Sequence, residues 1–369
     1  MSNLYLNNEE QITFSLRSLY EAFGYSRYEM SKFEEYDLYV RFGDSLISEG
    51  VITFTDTNGK LMALTPDVTL SIIKNGRDSQ GVQKVYYDEK VYRVSKGTSS
   101  FKEIPQVGLE CMGEIDNVCI AEVLRLAAES LCAVSENAVL DISHLGIAWG
   151  IMDAFDISKD DKKEIAKCIG EKNIHELEAV CRKAGMDESS TALLCKIAAL
   201  HGKPCEVFPA LYKLLPAEFG EVIDGFKAII DSLPKKALDI INIDFSAGTD
   251  FGYYNGIVFK GYVMSVPNAV ISGGQYDKLM KKMGRTGSAI GFAVYPEMLQ
   301  QLSKAGGLDA DILLLYSAEE NAGAVLAEAD KLRNEGNRVA VAKKKDIKKN
   351  YGKIFEFKNG EVKEVENNA

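Results

Sequence analysis

The stretch KVYYDEKVYRVSKGTSSFKEIPQVGLECMGEI, from Lys84 to Ile115, decides how the rest of the chain is read. Valine, tyrosine and isoleucine fill its two halves, and a polar loop from Ser95 to Ser100 divides them. That is the composition of two antiparallel strands joined by a long turn. In the second half Gln106 and Glu110 are four residues apart, so on a strand both side chains leave the same face. A carboxylate and an amide on one strand face, beside a loop of the kind that often covers a ligand, mark a candidate binding site.

Toward the amino terminus, Ile12, Leu16, Leu19, Tyr20 and Phe23 repeat at helical spacing from Asn8 to Phe23, with Gly24 placed to cap the helix. VITFTDTNGKLMALTPDVT (51–69) predicts a hairpin turning at Thr57, Asn58 and Gly59, then a helix after Pro66 with Asp67 near its first turn. Toward the carboxyl terminus, a helix is expected from about Ala121 to Val134. Residues from about Gly146 to Leu238 read as consecutive helices with charged faces. Strand-like segments resume at ALDIINIDFS (237–246), YYNGIVFKGYVMS (253–265) and NAVISGGQYD (268–277), and a buried helix is expected to start near Ser288. Strands, then helices, then strands argue for an α+β fold, an antiparallel sheet flanked by helices and interrupted by a helical insertion at about 146–238.

Ala305, Gly306 and Gly307 make a hinge before a tail of strand ILLLY, a helix, strand RVAVA and a hairpin turning on Asn359 and Gly360. The chain therefore divides into residues 1–305 and a small α/β unit over 308–369, within the 369 residues expected to exceed one hydrophobic core.

The formal net charge of -11 is unfavourable for a phosphate polyanion unless the chain carries a concentrated basic patch. The lysine run Lys343, Lys344, Lys345, Lys348, Lys349 is the best candidate, but residues 308–369 hold eleven basic against twelve acidic residues, so a solvated loop is expected rather than a nucleic-acid site. The seven cysteines form no CxxC pair, and free thiols in a reducing cytoplasm are expected. His144 is placed at a strand or turn, and His175 and His201 in helical contexts without ligand-spaced partners, so no metal is expected. The amino terminus is polar and no apolar run reaches membrane-spanning length, so the expected location is cytoplasmic, away from any membrane.

Three islands together have the chemistry to hold a small zwitterion. Thr65-Pro66-Asp67-Val68-Thr69 offers a carboxylate and a hydroxyl for an ammonium group. Gln106 with Glu110 is the second island, and the third is Gly252-Tyr253-Tyr254-Asn255-Gly256, whose tyrosines offer hydroxyls and a flat wall.

In order along residues 5 to 305, these islands resemble the class II aminoacyl-tRNA synthetase core, specifically its histidyl branch. EEYDLYVRFGDSLISEGVITFTD (34–56) resembles the first class motif, which in the family forms the dimer interface. LMALTPDVTLSIIK (61–74) resembles the segment that holds the amino acid's ammonium group. KVYYDEKVYR and KEIPQVGLECMG resemble the second motif, with Arg93 in the position of its arginine. YYNGIVFKGY resembles the histidine-specific signature, and ISGGQYDKLMKKMG and AIGFAVYPEML resemble the glycine-rich strand and the third motif. The resemblance implies histidine-binding residues Asp67, Thr69, Arg93, Gln106, Glu110, Tyr253 and Tyr254. Glu110 and one tyrosine would address the imidazole, and Asp67, Thr69 and Gln106 the ammonium group. Asp67 stands where a glutamate is usual and Thr65 where an arginine is common.

Three departures point away from amino-acid activation, which needs cations against the charge that develops on the nucleotide phosphates. Met298 replaces the arginine of the third motif, Thr249 stands where the histidine-specific arginine belongs, and Ser95 replaces the acidic partner that follows Arg93. One such cation is worth roughly a thousandfold in rate by analogy with other charge-stabilising sites. The tail resembles the start of an anticodon-binding domain but lacks a basic face. This combination resembles the regulatory subunits of ATP phosphoribosyltransferase. It implies no catalytic residues, no cofactor other than histidine as an allosteric ligand, and a short-form catalytic subunit as partner. It also implies a homodimer through the synthetase-like core within a hetero-octamer. The alternatives are a divergent histidyl-tRNA synthetase and a paralogue that binds another amino acid.

Overall fold

The computed structural model describes residues 8–46, 50–76, 81–95, 99–248, 254–303, 308–346 and 349–367. By its internal contacts the chain forms two compact units, residues 1–300 and 301–369.

The first unit opens with α1 (Asn8–Ala22), β1 (Ser26–Arg27), β2 (Phe33–Glu35), α2 (Tyr36–Leu46), β3 (Thr53–Thr55), β4 (Leu61–Leu64) and α3 (Val68–Asn75). Gly24 and Gly59 take φ of 80° and 81°, conformations that a Cβ would strain, and they close α1 and the β3–β4 hairpin as their positions predict. There follow β5 (Val82–Val94), β6 (Phe101–Gly113), α4 (Asn117–Val134) and β7 (Ala138–His144). The Lys84–Ile115 stretch therefore forms two paired 13-residue strands, with Glu110 opposite Val85 and Gly108 opposite Tyr87. Helix α4 begins four residues before the expected Ala121, because Asp116 accepts a hydrogen bond from Cys119 N at 3.0 Å and caps an earlier first turn.

Helices α5 (Leu145–Asp153), α6 (Lys159–Gly170), α7 (Ile174–Lys183) and α8 (Glu188–Ala199) come next, then β8 (His201–Gly202), α9 (Pro204–Leu214), α10 (Gly220–Asp231) and α11 (Lys235–Leu238). His201 lies in the two-residue strand β8 rather than in a helix. The ALDIINIDFS segment is strand only over β9 (Ile241–Asp244), because Pro234 starts α11 and carries Ala237 and Leu238 into it. The unit continues with β10 (Ile257–Val263), β11 (Ile271–Gln275), α12 (Asp277–Lys282) and β12 (Ser288–Val294), and α13 (Pro296–Ser303) runs across its boundary at residue 300.

The expectation of a buried helix from Ser288 is wrong. Ser288–Val294 is β12, a central strand between β6 and β11, buried along almost its whole length. A short apolar run has no periodicity to separate a buried helix from a strand paired on both edges, and here the strand has neighbours on both sides.

The sheet order is β1-β5-β6-β12-β11-β10-β7-β9-β8, with every ladder from β5 through β7 antiparallel. On one face α1 and α4 are packed, and Tyr20 meets Phe292 edge-on at 6.0 Å while its hydroxyl lies 3.1 Å from Ser130 Oγ. The other face carries Val85, Tyr87 and Met112, which join α3 and α12 residues Leu70, Ile72, Leu279 and Met280 in one buried cluster. A fully buried leucine or isoleucine contributes about 1.5–3 kcal/mol, so this cluster fixes where α3 docks. A smaller antiparallel sheet, β2-β4-β3, stands beside α2.

The second unit consists of β13 (Ala310–Tyr316), α14 (Ala322–Asn334), β14 (Val339–Ala342), β15 (Tyr351–Lys358) and β16 (Glu361–Asn367) in the order β14-β13-β15-β16. Its hairpin turns on Asn359 and Gly360 at φ 53° and 80°, the left-handed pair that fits the twist of two-residue hairpins. Lys343, Lys344 and Lys345 are exposed. Among the described residues no helix is long and apolar enough to cross a membrane.

Candidate functional site

A cavity of about 300 Å³ opens on the α3 side of the sheet. Strand alternation supplies most of its lining: Tyr87 and Arg93 from β5, Gln106 and Glu110 from β6, Gly291 and Ala293 from β12, Ser272 from β11, Val258 and Lys260 from β10, while Phe259, Gly273 and Phe292 of the other parity also border it. Asp67 and Thr69 reach it from the start of α3, and Tyr254, Tyr276 and Tyr295 from the connections. Six of the seven residues expected at a histidine site thus share one cavity. Tyr253 and Thr249 lie outside the described residues.

Glu110 is at its centre, 2 % exposed. The Thr69 hydroxyl donates to its Oε1 at 2.6 Å and the Tyr276 hydroxyl to its Oε2 at 2.6 Å. Burial pushes its carboxyl up to about 8 although both hydroxyls favour the charged form, and the nearby charge of Asp67 pushes the same way as burial. Thr69, expected to meet an ammonium group, thus donates its hydroxyl to this carboxylate. Glycine makes room for that carboxylate, since Gly291 stands opposite Glu110 in the β6–β12 ladder.

Asp67 caps α3 by accepting from Leu70 N at 2.9 Å. Its other oxygen is 3.6 Å from an Arg93 Nη, while Arg93 Nε donates to the Pro66 carbonyl at 2.8 Å. Burial raises the Asp67 carboxyl, and Arg93 opposes that rise. Tyr254 precedes a chain segment pinned to β11 and α12. There Asn255 donates from its amide to Asp277 at 3.0 Å, Gln275 Oε1 accepts from Ile257 N at 2.7 Å, and the Tyr254 ring lies against Gly274.

Sequence reading missed Tyr87, Lys260, Tyr276 and Tyr295. Tyr87 shares odd-numbered parity with Arg93 on one strand, so alternation alone could have placed it, whereas the strand of Lys260 held no expected site residue to set a parity. Tyr276 and Tyr295 follow strands and carried no such signal. Met298, in the position of the third-motif arginine, is half-buried on the first turn of α13 and is not among the cavity's lining. Elsewhere, His144 caps α5, its Nδ1 accepting from Gly146 N at 3.2 Å, and burial lowers its pKa to about 4. Among the described residues no cluster of histidine, cysteine, aspartate and glutamate is arranged to hold a metal ion.

The model of the histidyl-tRNA synthetase family matches residues 5–299. An ATP phosphoribosyltransferase regulatory subunit from Alkaliphilus metalliredigens is 28% identical over 344 residues, covering 88% of this chain and 85% of that protein. Among solved structures, an ATP phosphoribosyltransferase regulatory subunit/histidyl-tRNA synthetase from Bacillus halodurans superposes with a TM-score of 0.75 at 21% identity, over 94% of this chain and 93% of that one. An ATP phosphoribosyl transferase (HisG:HisZ) complex from Thermotoga maritima contains a chain that superposes at 0.60 and 21% identity, over 79% of this chain and 98% of that one. At these identities the two structures speak for the fold, a class II synthetase-like α+β core.

Proposed function

The chain belongs to the histidyl-tRNA synthetase family, and from that premise we propose that it binds histidine without activating it and serves as the regulatory subunit of a separate, short-form ATP phosphoribosyltransferase. The observation that carries this reading is the contrast between Glu110, buried and fixed by two hydroxyls in a polar cavity, and Met298, an uncharged side chain where activation would need a cation. A buried carboxylate is stable only with donors around it, and an imidazole N–H is such a donor. Asp67 and Gln106 address the ammonium group, Arg93 the ligand carboxylate and Tyr254 the ring. The similar proteins named as regulatory subunits support the role.

Histidine then acts as an allosteric ligand. It shifts an equilibrium shared with the catalytic subunit and weakens transfer of the phosphoribosyl group to ATP, with a coupling of about 1–3 kcal/mol that must be reciprocal. The chains pair through the β2-β4-β3 face, where Phe33 and Leu61 are exposed and Phe33 meets Phe54 edge-on at 5.5 Å, together with the exposed Val40 of α2, within a hetero-octamer. The location is the cytoplasm.

A divergent synthetase is the second reading, favoured by the presence of two cations, Arg93 and Lys260, on the cavity. Histidine-dependent exchange of pyrophosphate into ATP separates the two: the regulatory reading expects none from the purified chain. It also expects the catalytic subunit to co-purify and to respond to histidine only when this chain is present. Exchange without any partner would establish the synthetase.

A further inference from the structure

The segment that places Tyr254 at the cavity is tied to two helices. Asn255, the next residue, donates from its backbone N–H to the Gln275 carbonyl at 2.9 Å and from its amide to Asp277 at 3.0 Å, and its Oδ1 accepts from Lys278 N at 3.2 Å. The first turn of a helix has N–H groups without intrahelical partners, and Tyr276, at the N-cap of α12, makes no side-chain capping bond. Asn255 therefore caps α12 from outside. Gly256, one residue further, accepts at 2.9 Å from the N–H of Leu145, the first residue of α5. Helix α12 is held on one side of the segment and the first helix of the insertion on the other.

The two helices also meet each other. Trp149, one turn along α5, is half-buried and lies within cation–π distance of two lysines, with Lys278 Nζ of α12 5.0 Å and Lys162 Nζ of α6 5.6 Å from the ring centroid. The Lys162 ammonium is shared with Asp153 at 2.9 Å. Lys278 carries the link to the cavity, because its backbone N–H is the one bound to Asn255. The contacts close into a ring that runs from Asn255 through Lys278 and Trp149 to Leu145 and back to Gly256. Tyr276, just before α12, donates its hydroxyl to Glu110, so the start of this helix serves both the tyrosine wall and the buried carboxylate.

We infer that Lys278 and Trp149 are positioning residues for the cavity: the helical insertion, through the indole of Trp149 under the Lys278 ammonium, keeps Asn255 in place and with it the Tyr254 wall. The inference rests on the histidine reading above and deepens it, because it makes the affinity for the ligand depend on where the insertion stands. By reciprocity, filling the cavity changes the surroundings of Trp149.

Trp149 is the one tryptophan of the chain, so its emission reports on this contact alone. The experiment titrates histidine into the full chain and its Lys278→Met and Lys278→Arg variants, following calorimetric heat and tryptophan emission. Lys278 is exposed and methionine keeps most of its stem, and the melting temperature shows whether each variant is folded. Histidine is expected to shift the emission of the unmodified chain. Lys278→Met should bind histidine on the order of two- to fivefold more weakly, the size of an exposed cation–π contact, with the emission response lost. Lys278→Arg, which returns a cation to the ring, should restore both. In a Trp149→Leu background Lys278→Met should cost nothing further, the signature of two residues acting through one contact.

Full histidine affinity in a folded Lys278→Met chain overturns the assignment and leaves the histidine reading standing. So do losses that add independently in the double variant, or an emission that ignores histidine while calorimetry records its binding. If Trp149→Leu does not fold, the two Lys278 variants decide by themselves. If the unmodified chain takes up no histidine, the functional reading fails and this assignment fails with it.

Discussion

Gly291 stands directly across the β6–β12 ladder from Glu110, and a Cβ placed on it would fall 1.7 Å from Glu110 Oε2. The carboxylate occupies the space that a side chain at 291 would fill. Gly291→Ala must therefore push Glu110 away from Thr69 and Tyr276 or bend two central strands. The expected cost is about 1–3 kcal/mol of stability, typical of overpacking, together with loss of histidine binding. Thermal unfolding and a binding assay check both.

Thr69→Val keeps the shape of the first turn of α3 but removes the donor to Glu110 Oε1. A buried carboxylate left with one hydroxyl partner should cost roughly 1–3 kcal/mol in denaturant titrations. Thr69→Ser, which retains a hydroxyl, should recover most of that loss.

The pH dependence of stability has two opposing parts. Glu110 has an ordinary pKa of 4.5 raised to about 8 in the fold, so the native state holds the proton more tightly. Its contribution is complete below about 4.5 and is lost as pH rises toward 8. His144 is the reverse: its ordinary value of 6.5 falls to about 4 on burial, so its contribution is present above 6.5 and is lost as pH falls toward 4. The two partly cancel from about 4.5 to 6.5, and above 6.5 Glu110 acts alone. Glu110→Gln should flatten the decline in stability between pH 6.5 and 8, while His144→Asn, which keeps a capping side chain for α5, should flatten only the acid side. Chemical denaturation across pH 4–8 separates them.

Phe33 and Phe54 form an exposed aromatic pair on the small sheet, with Leu61 and Val40 also exposed. Charges there should oppose burial against a second copy. The double variant Phe33→Asp, Phe54→Asp is expected to shift the mass measured by light scattering from dimer to monomer while circular dichroism stays unchanged.

Much of the architecture was legible because it is written locally. The polar loop between Val94 and Phe101 separates two strands at the expected places, Asp67 caps the helix that follows Pro66, and Asn359-Gly360 turns the last hairpin. The same-face placement of Gln106 and Glu110 needed only strand periodicity. Cross-strand register was not legible. No local signal says that Gly291 faces Glu110, or that Tyr276, well over a hundred residues away, closes the same carboxylate. Ser288–Val294 was misread for a related reason, since an apolar run becomes a strand through neighbours that lie far away in sequence. The hydrogen bond from Thr69 to Glu110 was not legible either, because the two residues lie on different elements.

The account turns on a cavity that holds histidine through Glu110, and calorimetric titration of histidine into the purified chain tests it most directly. It predicts a saturable heat corresponding to one site per chain, weakened on the order of tenfold or more in Glu110→Gln. Absence of any binding heat, for the chain alone and for the chain mixed with the catalytic subunit, would contradict it.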